Sequence, residues 1–353
     1  MGKTEEKSGE TGKKPNFYGA EQYKGGKEQG MKTDFNVKDF AEFCGQHRPA
    51  YQANYYAMYS SWWGAITTDP NLMVVPVDDH MVHRGDGLFE TFKCVDGAVY
   101  NLGAHLDRLE SGARAIALKL PWSRAEIARI TGAVLQAGGR RDALVRIFVS
   151  RGPGGHTANP YECPEPLLMV LAIRLAAPFM EAHPQGAKVG VSGVPIKDGF
   201  FAQVKSVNYL PNVLMKKQAV DAGVDFMLGF DKNGHMTELP TENFGIVTKD
   251  RVLRVPRPDH ILLGTTMLRV LQLAREKLVP AGVLRGVEEA DVPRAELEQA
   301  AEMLVFGTTP HVTAVTEFAG RPVGDGKPGP VWRELSRVFE DDLKNPALLT
   351  QVL

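Results

Sequence analysis

The sequence contains little cysteine, no long apolar run and almost no net charge. Its three cysteines, Cys44, Cys94 and Cys163, form no C-x-x-C pair, which argues against a zinc knuckle or a disulfide framework and favours a reducing cytoplasm. No apolar run approaches the roughly 18 to 20 residues of a membrane span, and no signal peptide is evident, so we expect neither membrane insertion nor export. A formal net charge of −1 provides no field that would attract nucleic acid.

The rest of the composition is that of a globular protein. Hydrophobic residues make up 43% and charged residues 24% of the chain, and its 353 residues favour two domains over one. Residues 1 to about 34 are rich in Lys, Glu and Gly, which predicts a disordered tail. The predicted division is an N-terminal extension over residues 1–50, a small domain over 51–173, an interdomain connection over 174–185 and a large domain over 186–353.

Residue periodicity predicts both helices and strands. Residues 89–100 contain an Asp-Gly pair between two apolar runs, which is typical of a hairpin. Apolar residues then recur at helical spacing from Leu106 to Leu120, and Pro121 would end that helix. A later helix is expected to end at Gly223. The predicted fold class is therefore α+β.

One lysine is unusual for its surroundings. Lys205 lies between Val204 and Ser206, directly before a predicted helix, instead of on a solvated helix face. An ammonium that is partly removed from water has a lowered pKa, and its neutral amine can attack an aldehyde to form an imine. Taken alone, the position also fits a lysine whose stem covers apolar surface while its charge reaches solvent. The residues that follow Lys205 decide between these interpretations.

The order of the later residues resembles a known family. Lys-Ser-x-Asn-Tyr begins at Lys205, Asp-x-x-Gly-x-x-x-Glu ends at Glu238, and Asn-x-x-x-Val begins at Asn243. This order resembles the fold-type IV aminotransferases, which include branched-chain and D-amino-acid aminotransferases and aminodeoxychorismate lyase. The resemblance implies that Lys205 holds pyridoxal 5'-phosphate (PLP) as a Schiff base and that Glu238 pairs with the pyridine nitrogen. A carboxylate at that nitrogen favours the protonated ring, which is the better electron sink.

Further motifs of the family follow in the same order. Ala-His-Leu-Asp-Arg at 104–108 is similar to the family's His-x-x-Arg, so Arg108 is expected to bind the cofactor phosphate. Gly-Thr-Thr at 264–266 opens a predicted helix, whose free N–H groups suit a phosphate. The cofactor-binding residues implied by the resemblance are Arg108, Lys205, Tyr209, Glu238, Gly264, Thr265, Thr266 and Thr308. Two departures from the family pattern are Leu239, where glycine is usual, and Pro310, which lacks an N–H.

The resemblance also implies an amino acid and a 2-oxo acid as substrates. The predicted substrate-binding residues are Phe89, Thr91, Lys93, Arg146, His156 and Thr309. Residues 85–87 and 89–93 resemble the D-amino-acid enzymes and the lyase, whereas Asn208 and Tyr209 resemble the branched-chain enzymes. Both transaminase types stay open, with the lyase as the alternative.

The architecture implied by the resemblance has two domains. A small α/β-sandwich-like domain and a larger antiparallel pseudo-barrel domain would hold the cofactor in the cleft between them. Such enzymes are usually homodimers, and the aromatic residues from Tyr51 to Trp63 are expected to strengthen a subunit interface. His80 and His83 lack a third nearby ligand, so no metal site is predicted. A non-catalytic relative is disfavoured because the residues expected to carry catalysis are all present.

Overall fold

The structure, a computed structural model, describes residues 32–197 and 199–353. The predicted disordered tail, residues 1 to about 34, lies almost wholly outside the described residues. Contacts divide the chain into two compact units, one ending at Tyr55 and one running from Tyr56 to Leu353. No helix in the described part of the chain is long and apolar enough to cross a membrane.

Two of the longer helices begin at residues whose side chains accept hydrogen bonds from their free N–H groups. The Asn36 side chain accepts from the N–H of Lys38 at 2.9 Å, and the Ser123 hydroxyl accepts from the N–H of Glu126 at 3.2 Å. The α-helices are α1 (Val37–Gln46), α2 (His80–Arg84), α3 (Leu102–Ala115), α4 (Arg124–Ala137), α5 (Phe179–Ala182), α6 (Phe200–Gln203), α7 (Leu210–Ala222), α8 (Thr265–Leu273), α9 (Arg294–Leu297) and α10 (Pro330–Asp342).

The strands form two sheets. They are β1 (Tyr55–Ser60), β2 (Ala65–Thr67), β3 (Gly87–Val95), β4 (Ala98–Tyr100), β5 (Ala143–Ser150), β6 (Leu167–Ile173), β7 (Ala187–Val191), β8 (Phe226–Leu228), β9 (Asn243–Val247), β10 (Val252–Val255), β11 (Gly286–Glu289), β12 (Glu302–Gly307), β13 (His311–Phe318), β14 (Arg321–Pro322) and β15 (Leu349–Gln351).

The first sheet has the strand order β15-β4-β3-β5-β6-β1-β2. Side chains of β3 alternate between its two faces, and Leu88, Phe92 and Cys94 are buried in one core with Leu106 and Leu109 of α3. The opposite face of β3 is therefore free to carry Phe89, Thr91 and Lys93 toward a cleft. The predicted hairpin is present, since β3 and β4 pair antiparallel on either side of residues 96–97.

The second sheet has the order β11-β10-β9-β12-β13-β7-β8, and β14 pairs with β13. It is mixed, because β10 with β11, β13 with β7, and β7 with β8 are parallel pairs. The parallel pairs arise where the chain returns through a crossover: α6 and α7 lie between β7 and β8, and α8 lies between β10 and β11. The described residues thus confirm the α+β class, and they show that the second sheet combines antiparallel hairpins with crossovers.

Two predicted helix ends have different outcomes. Helix α7 ends as predicted, with Gly223 at its C-cap in the left-handed region at a φ of 68°. Helix α3 ends at Ala115, before the predicted end at Pro121, and Ala117 follows with a φ of 50°. The predicted boundary was wrong because the apolar spacing continues through Ile116 and Leu120 after the backbone has left the helix.

Candidate active site

Lys205 is held beside the start of β3. The Phe89 N–H donates to the Lys205 carbonyl oxygen at 3.1 Å, and the Val207 N–H donates to the Gly87 carbonyl oxygen at 3.0 Å. The Lys205 Nζ lies 4.5 Å from the centre of the Phe89 ring and 3.4 Å from the hydroxyl oxygen of Tyr209. Backbone pairing therefore fixes the lysine, and two aromatic side chains surround its amine.

The surroundings of Lys205 make its amine easy to deprotonate. Burial, reinforced by the charge of Arg108, lowers the pKa of Lys205 to about 7. Glu90 and Glu238 attract the ammonium and raise the pKa, but they offset only part of this effect. A substantial neutral fraction is therefore present near pH 7, and the neutral amine is the form that attacks a carbonyl carbon.

Glu238 follows a tight turn in which the Asp231 N–H donates to the His235 carbonyl oxygen at 2.9 Å. The Glu238 Oε2 accepts a hydrogen bond from the N–H of Leu262 at 3.0 Å. Burial raises the pKa of Glu238 to about 7, although the Leu262 N–H and the charges of Lys197 and Lys205 favour its carboxylate. A further cation against Glu238 would stabilise that carboxylate, so the position suits a protonated ring nitrogen.

A buried carboxylate orients Arg108. Glu90 accepts hydrogen bonds from Arg108 Nε at 2.8 Å and from Arg108 Nη2 at 2.7 Å. His105 Nδ1 lies 2.8 Å from Glu90 Oε2, and His105 Nε2 lies 3.2 Å from the hydroxyl oxygen of Thr265. Burial alone would raise the pKa of Glu90, but Arg108 and His105 lower it to about 2. The ionised carboxylate thus joins β3, α3 and the start of α8.

The start of α8 supplies backbone N–H groups beside this network. Gly264 is the N-cap residue, and the two threonines that follow it are buried. A Cβ at Gly264 would lie 1.9 Å from Asn243 Oδ1, so a side chain has no room there. Arg108 Nη1 donates to the Leu263 carbonyl oxygen at 3.0 Å, which brings the guanidinium to the same place. The positive end of a helix and a guanidinium together suit a phosphate group.

A cavity of about 400 Å³ opens beside Lys205. Its lining residues are Phe89, Thr91, Leu144, Arg146, Phe148, Lys205, Val207, Tyr209, Val213, Thr241 and Thr309. Four of the predicted substrate-binding residues, Phe89, Thr91, Arg146 and Thr309, are thus brought together with the lysine. Most of the remaining lining residues are apolar, and Arg146 supplies a second cation to the wall.

The other two predicted substrate-binding residues lie elsewhere. Lys93 lines a separate small cavity, together with Thr265, Thr266 and Thr308. The ring of His156 lies 5.2 Å from that of His83. Within residues 32–197 and 199–353, neither Lys93 nor His156 lines the cavity beside Lys205.

Three residues of the site had no assigned role in the sequence. Glu90 occupies the buried face of β3, where a carboxylate without a cation would be costly, and that mismatch was a usable signal. His105 belongs to the motif that contains Arg108, but only the arginine was assigned. Lys197, with its Nζ 4.6 Å from the centre of the Tyr209 ring, left no signal in the sequence.

The side chains and N–H groups of the site fit three parts of PLP, namely its aldehyde carbon, its ring nitrogen and its phosphate. Lys205 offers an amine for the aldehyde carbon, and Glu238 offers a carboxylate for the ring nitrogen. Arg108 and the N–H groups at the start of α8 offer positive charge for the phosphate dianion. These groups come from four separate parts of the chain, and the fold brings them to one region.

Comparisons with known proteins identify the family. The profile of the family Amino-transferase class IV matches residues 87–318. The D-amino-acid transaminase, chloroplastic, of Arabidopsis thaliana is 38% identical over 300 residues, which cover 85% of this chain and 79% of the relative. The branched-chain-amino-acid aminotransferase of Pseudomonas aeruginosa is 29% identical over 272 residues, 74% of this chain and 85% of the relative.

A solved structure extends the agreement to the fold. The branched-chain amino acid aminotransferase from T.th. with pyridoxamine 5'-phosphate matches with a TM-score of 0.76 and 25% identity, over 85% of this chain and 99% of that one. The fold-type IV prediction is therefore confirmed, as is the prediction of a PLP-dependent enzyme. On the matched family profile and the identity with its curated relatives, the chain belongs to the class IV aminotransferases.

Proposed function

We propose that this class IV aminotransferase transfers the amino group of a D-amino acid to a 2-oxo acid, with Lys205 as the residue that holds the cofactor. The observation that carries the proposal is the position of the Lys205 amine, 3.4 Å from the Tyr209 hydroxyl oxygen and on the wall of a cavity of about 400 Å³. The choice of a D-amino acid is supported by the relative from Arabidopsis thaliana, which is named for that activity.

Lys205 would carry the proton transfers. PLP, when bound, supplies an aldehyde carbon that takes up the amino group and a conjugated ring that takes up electrons. The Lys205 Nζ would hold that carbon in the resting enzyme and, once displaced by substrate, would take the α-proton and return it. A pKa of about 7 suits both directions, because the amine and the ammonium are then both populated near neutral pH. The Tyr209 hydroxyl is near enough to orient the amine.

The other residues would hold the two ends of the cofactor. The Glu238 carboxylate would face the ring nitrogen, fixed in direction by the N–H of Leu262 at 3.0 Å. Arg108 and the N–H groups of Thr265 and Thr266 would hold the phosphate. Two N–H groups of the Arg108 guanidinium are engaged by Glu90, so the side chain is already fixed in place before any ligand arrives.

Replacing the lysine tests this proposal. We expect wild-type protein with added PLP to show the visible absorption band of the bound cofactor, and Lys205→Ala to lose the band and about 10³-fold in turnover. Lys249→Ala, which removes an exposed lysine between β9 and β10, is the matched control and should behave as wild type. Full turnover in Lys205→Ala, or no band in the wild type, would overturn the proposal.

A branched-chain L-amino acid is the second candidate substrate. The cavity beside Lys205 is lined by Leu144, Phe148, Val207 and Val213, a set that would favour an aliphatic side chain. Arg146 on the same wall would favour a carboxylate. The lyase alternative requires a substrate that carries an enol-pyruvyl group. The charges that line the cavity do not distinguish this substrate from the other candidates.

Single-enantiomer half-reactions distinguish the candidates. The holoenzyme is mixed with one amino acid at a time, in D and L form, and the loss of the visible band is followed with the 2-oxo acid released. We expect D-amino acids to react at least about tenfold faster than their L forms. Faster reaction with L-leucine or L-valine would favour the branched-chain type, and pyruvate from aminodeoxychorismate would identify a lyase.

We also propose a homodimer in a reducing compartment, the cytoplasm being the simplest. The dimer is supported by exposed apolar side chains, including Trp62, Phe201 and Leu210. The resemblance to the fold-type IV enzymes also implies that the partner subunit supplies the loop near His156, and His156 does not line the cavity beside Lys205 of its own chain. Within the described part of the chain the cysteines form no disulfide, which fits a reducing compartment. A solution molar mass of one chain at micromolar concentration would contradict the dimer.

We also propose the domain division predicted from the sequence, with strand β15 added to the small domain. Two of the hydrophobic cores in the described residues, one under the first sheet and one around β9, β12 and α8, support domains over residues 51–173 and 186–353, joined by 174–185, within the compact unit that runs from Tyr56 to Leu353. Strand β15 pairs with β4 and would therefore belong structurally to the small domain. Limited proteolysis that cuts first within 174–185 would support the division.

A further inference from the structure

Lys93 lies on the cleft-facing side of β3 but beyond the cavity that holds Lys205. Phe89, Thr91 and Lys93 share this face, and a strand rises about 3.3 Å per residue, so the Cα of Lys93 is about 13 Å from that of Phe89. Its side chain reaches the small cavity lined by Thr265, Thr266 and Thr308. Lys93 therefore lies at the predicted phosphate end of the site, whereas its sequence position suggested contact with substrate.

His311 is the hydrogen-bond partner of this lysine. The Lys93 Nζ contacts His311 Nε2, and because an ammonium can only donate, the imidazole accepts there and carries its proton on Nδ1. His311 is opposite Gly307 in the β12–β13 hairpin, so the turn that presents Thr308 also positions the histidine. Its ring lies 5.6 Å from the Phe339 ring, which restricts its orientation.

The charge of Lys93 has no direct counterion in the described residues. Burial lowers the pKa of Lys93 to about 8, while Glu181 raises it, so the side chain is still mainly an ammonium at pH 7. Within residues 32–197 and 199–353, no carboxylate forms a salt bridge with it, and its hydrogen bond goes to a neutral ring. A half-buried cation of this kind would be stabilised by an anion nearby, although the adjoining cavity of about 20 Å³ is itself too small to hold a phosphate.

We propose that Lys93 and His311 form a second set of residues at the phosphate site. The positive charge of the Lys93 ammonium would act together with the anion-binding groups of Arg108, Thr266 and Thr308. The inference rests on the proposed function only in taking the anion to be the phosphate of PLP. It assigns Lys93 to cofactor affinity instead of substrate recognition, and it assigns His311 to holding the ammonium in place.

Two charge-removing variants test the inference. Lys93→Met removes the cation, and Lys93→Gln removes the charge but keeps a donor toward His311, so that it supports folding if the first variant is unstable. We expect the Kd of the apoenzyme for PLP to rise about tenfold or more in both, since each variant removes a partly desolvated positive charge close to the phosphate dianion. Lys93→Arg should recover most of the affinity. Lys249→Met is the exposed control and should leave the Kd unchanged.

Phosphate dependence separates this role from a structural one. Inorganic phosphate should compete with PLP less strongly in Lys93→Met than in wild type, while the affinity for pyridoxal, which lacks the phosphate, should be the same in both. With saturating PLP, the KM for the amino acid should change by less than about twofold. An unchanged Kd for PLP, an equal loss of pyridoxal affinity, or a rise in KM alone would overturn the inference.

The outcome is distinguishable from a failure of the proposed function. If wild-type protein bound no PLP, the proposed function would fail, whatever the variants did. If wild-type protein bound PLP and both Lys93 variants bound it equally well, the cofactor assignment would stand and only the role of Lys93 would be lost.

Discussion

Glu90→Gln should lower the stability of the folded protein substantially, because it removes a buried carboxylate charge that three side-chain nitrogens contact. Arg108 Nε and Nη2 donate to the two carboxylate oxygens at 2.8 and 2.7 Å, and His105 Nδ1 lies 2.8 Å from one of them. An amide at residue 90 would turn an N–H₂ group toward a donor. The pKa of Glu90 falls from 4.5 to about 2 in the folded protein. At roughly 1.4 kcal/mol per pKa unit, this fall corresponds to about 3 kcal/mol in the free energy of unfolding.

Urea unfolding of the apoprotein measures this loss. We expect the free energy of unfolding to fall by about 3 kcal/mol at pH 7. Because the pKa of Glu90 is lowered in the folded protein, the stabilisation is present above pH 4.5 and is lost as the pH falls toward 2. The difference in free energy of unfolding between wild type and variant should therefore narrow below pH 4.5. Glu110→Gln, which alters an exposed ion pair with Arg124, should have no measurable effect. A loss below about 1 kcal/mol, or a gap that widens in acid, would refute the reasoning.

Three other changes have defined outcomes. The rate at which the apoenzyme forms the visible band with added PLP should rise about tenfold per pH unit below pH 7 and level off above it, as the Lys205 amine becomes neutral; a flat profile from about pH 5.5 to 8 would contradict this. Gly264→Ala places a Cβ 1.9 Å from a side-chain oxygen and should raise the Kd for PLP at least about tenfold, unlike Gly286→Ala, where space is open. Asp342→Asn breaks the buried pair with Arg269 and should lower Tm by several degrees in a thermal melt.

The sequence predicted the fold wherever a local signal and the tertiary structure agreed. The Asp-Gly turn has both residues in the left-handed region, at φ 49° and 75°, which is what a two-residue hairpin needs. Leu120 followed the helical spacing but lies outside α3, since Ala117 reverses the backbone first. The parallel pairing of β13 with β7 could not be predicted, because nothing local specifies which distant strand is the neighbour.

For the site, motif spacing placed Lys205, Tyr209 and the start of α8 in one region. Motif spacing could not predict which cavity each side chain reaches in the folded protein. Lys93 shares a strand face with Phe89, but the two side chains reach different cavities, and that difference depends on where the β12–β13 turn lies in three dimensions. The link from Glu90 through His105 to α8 likewise depends on how α3 packs on β3.

Strand β15 has a consequence for how the chain folds during synthesis. Residues 349–351 form the edge of the first sheet beside β4, and the Val352 N–H donates to the Gly97 carbonyl oxygen at 3.0 Å. The sheet can therefore not be completed while the ribosome is still translating the second sheet. Until residue 351 emerges, β4 presents an unpaired edge to which another nascent chain can add. A chaperone that shields this edge would be most useful after the second sheet has been translated, when the other strands of the first sheet have already emerged.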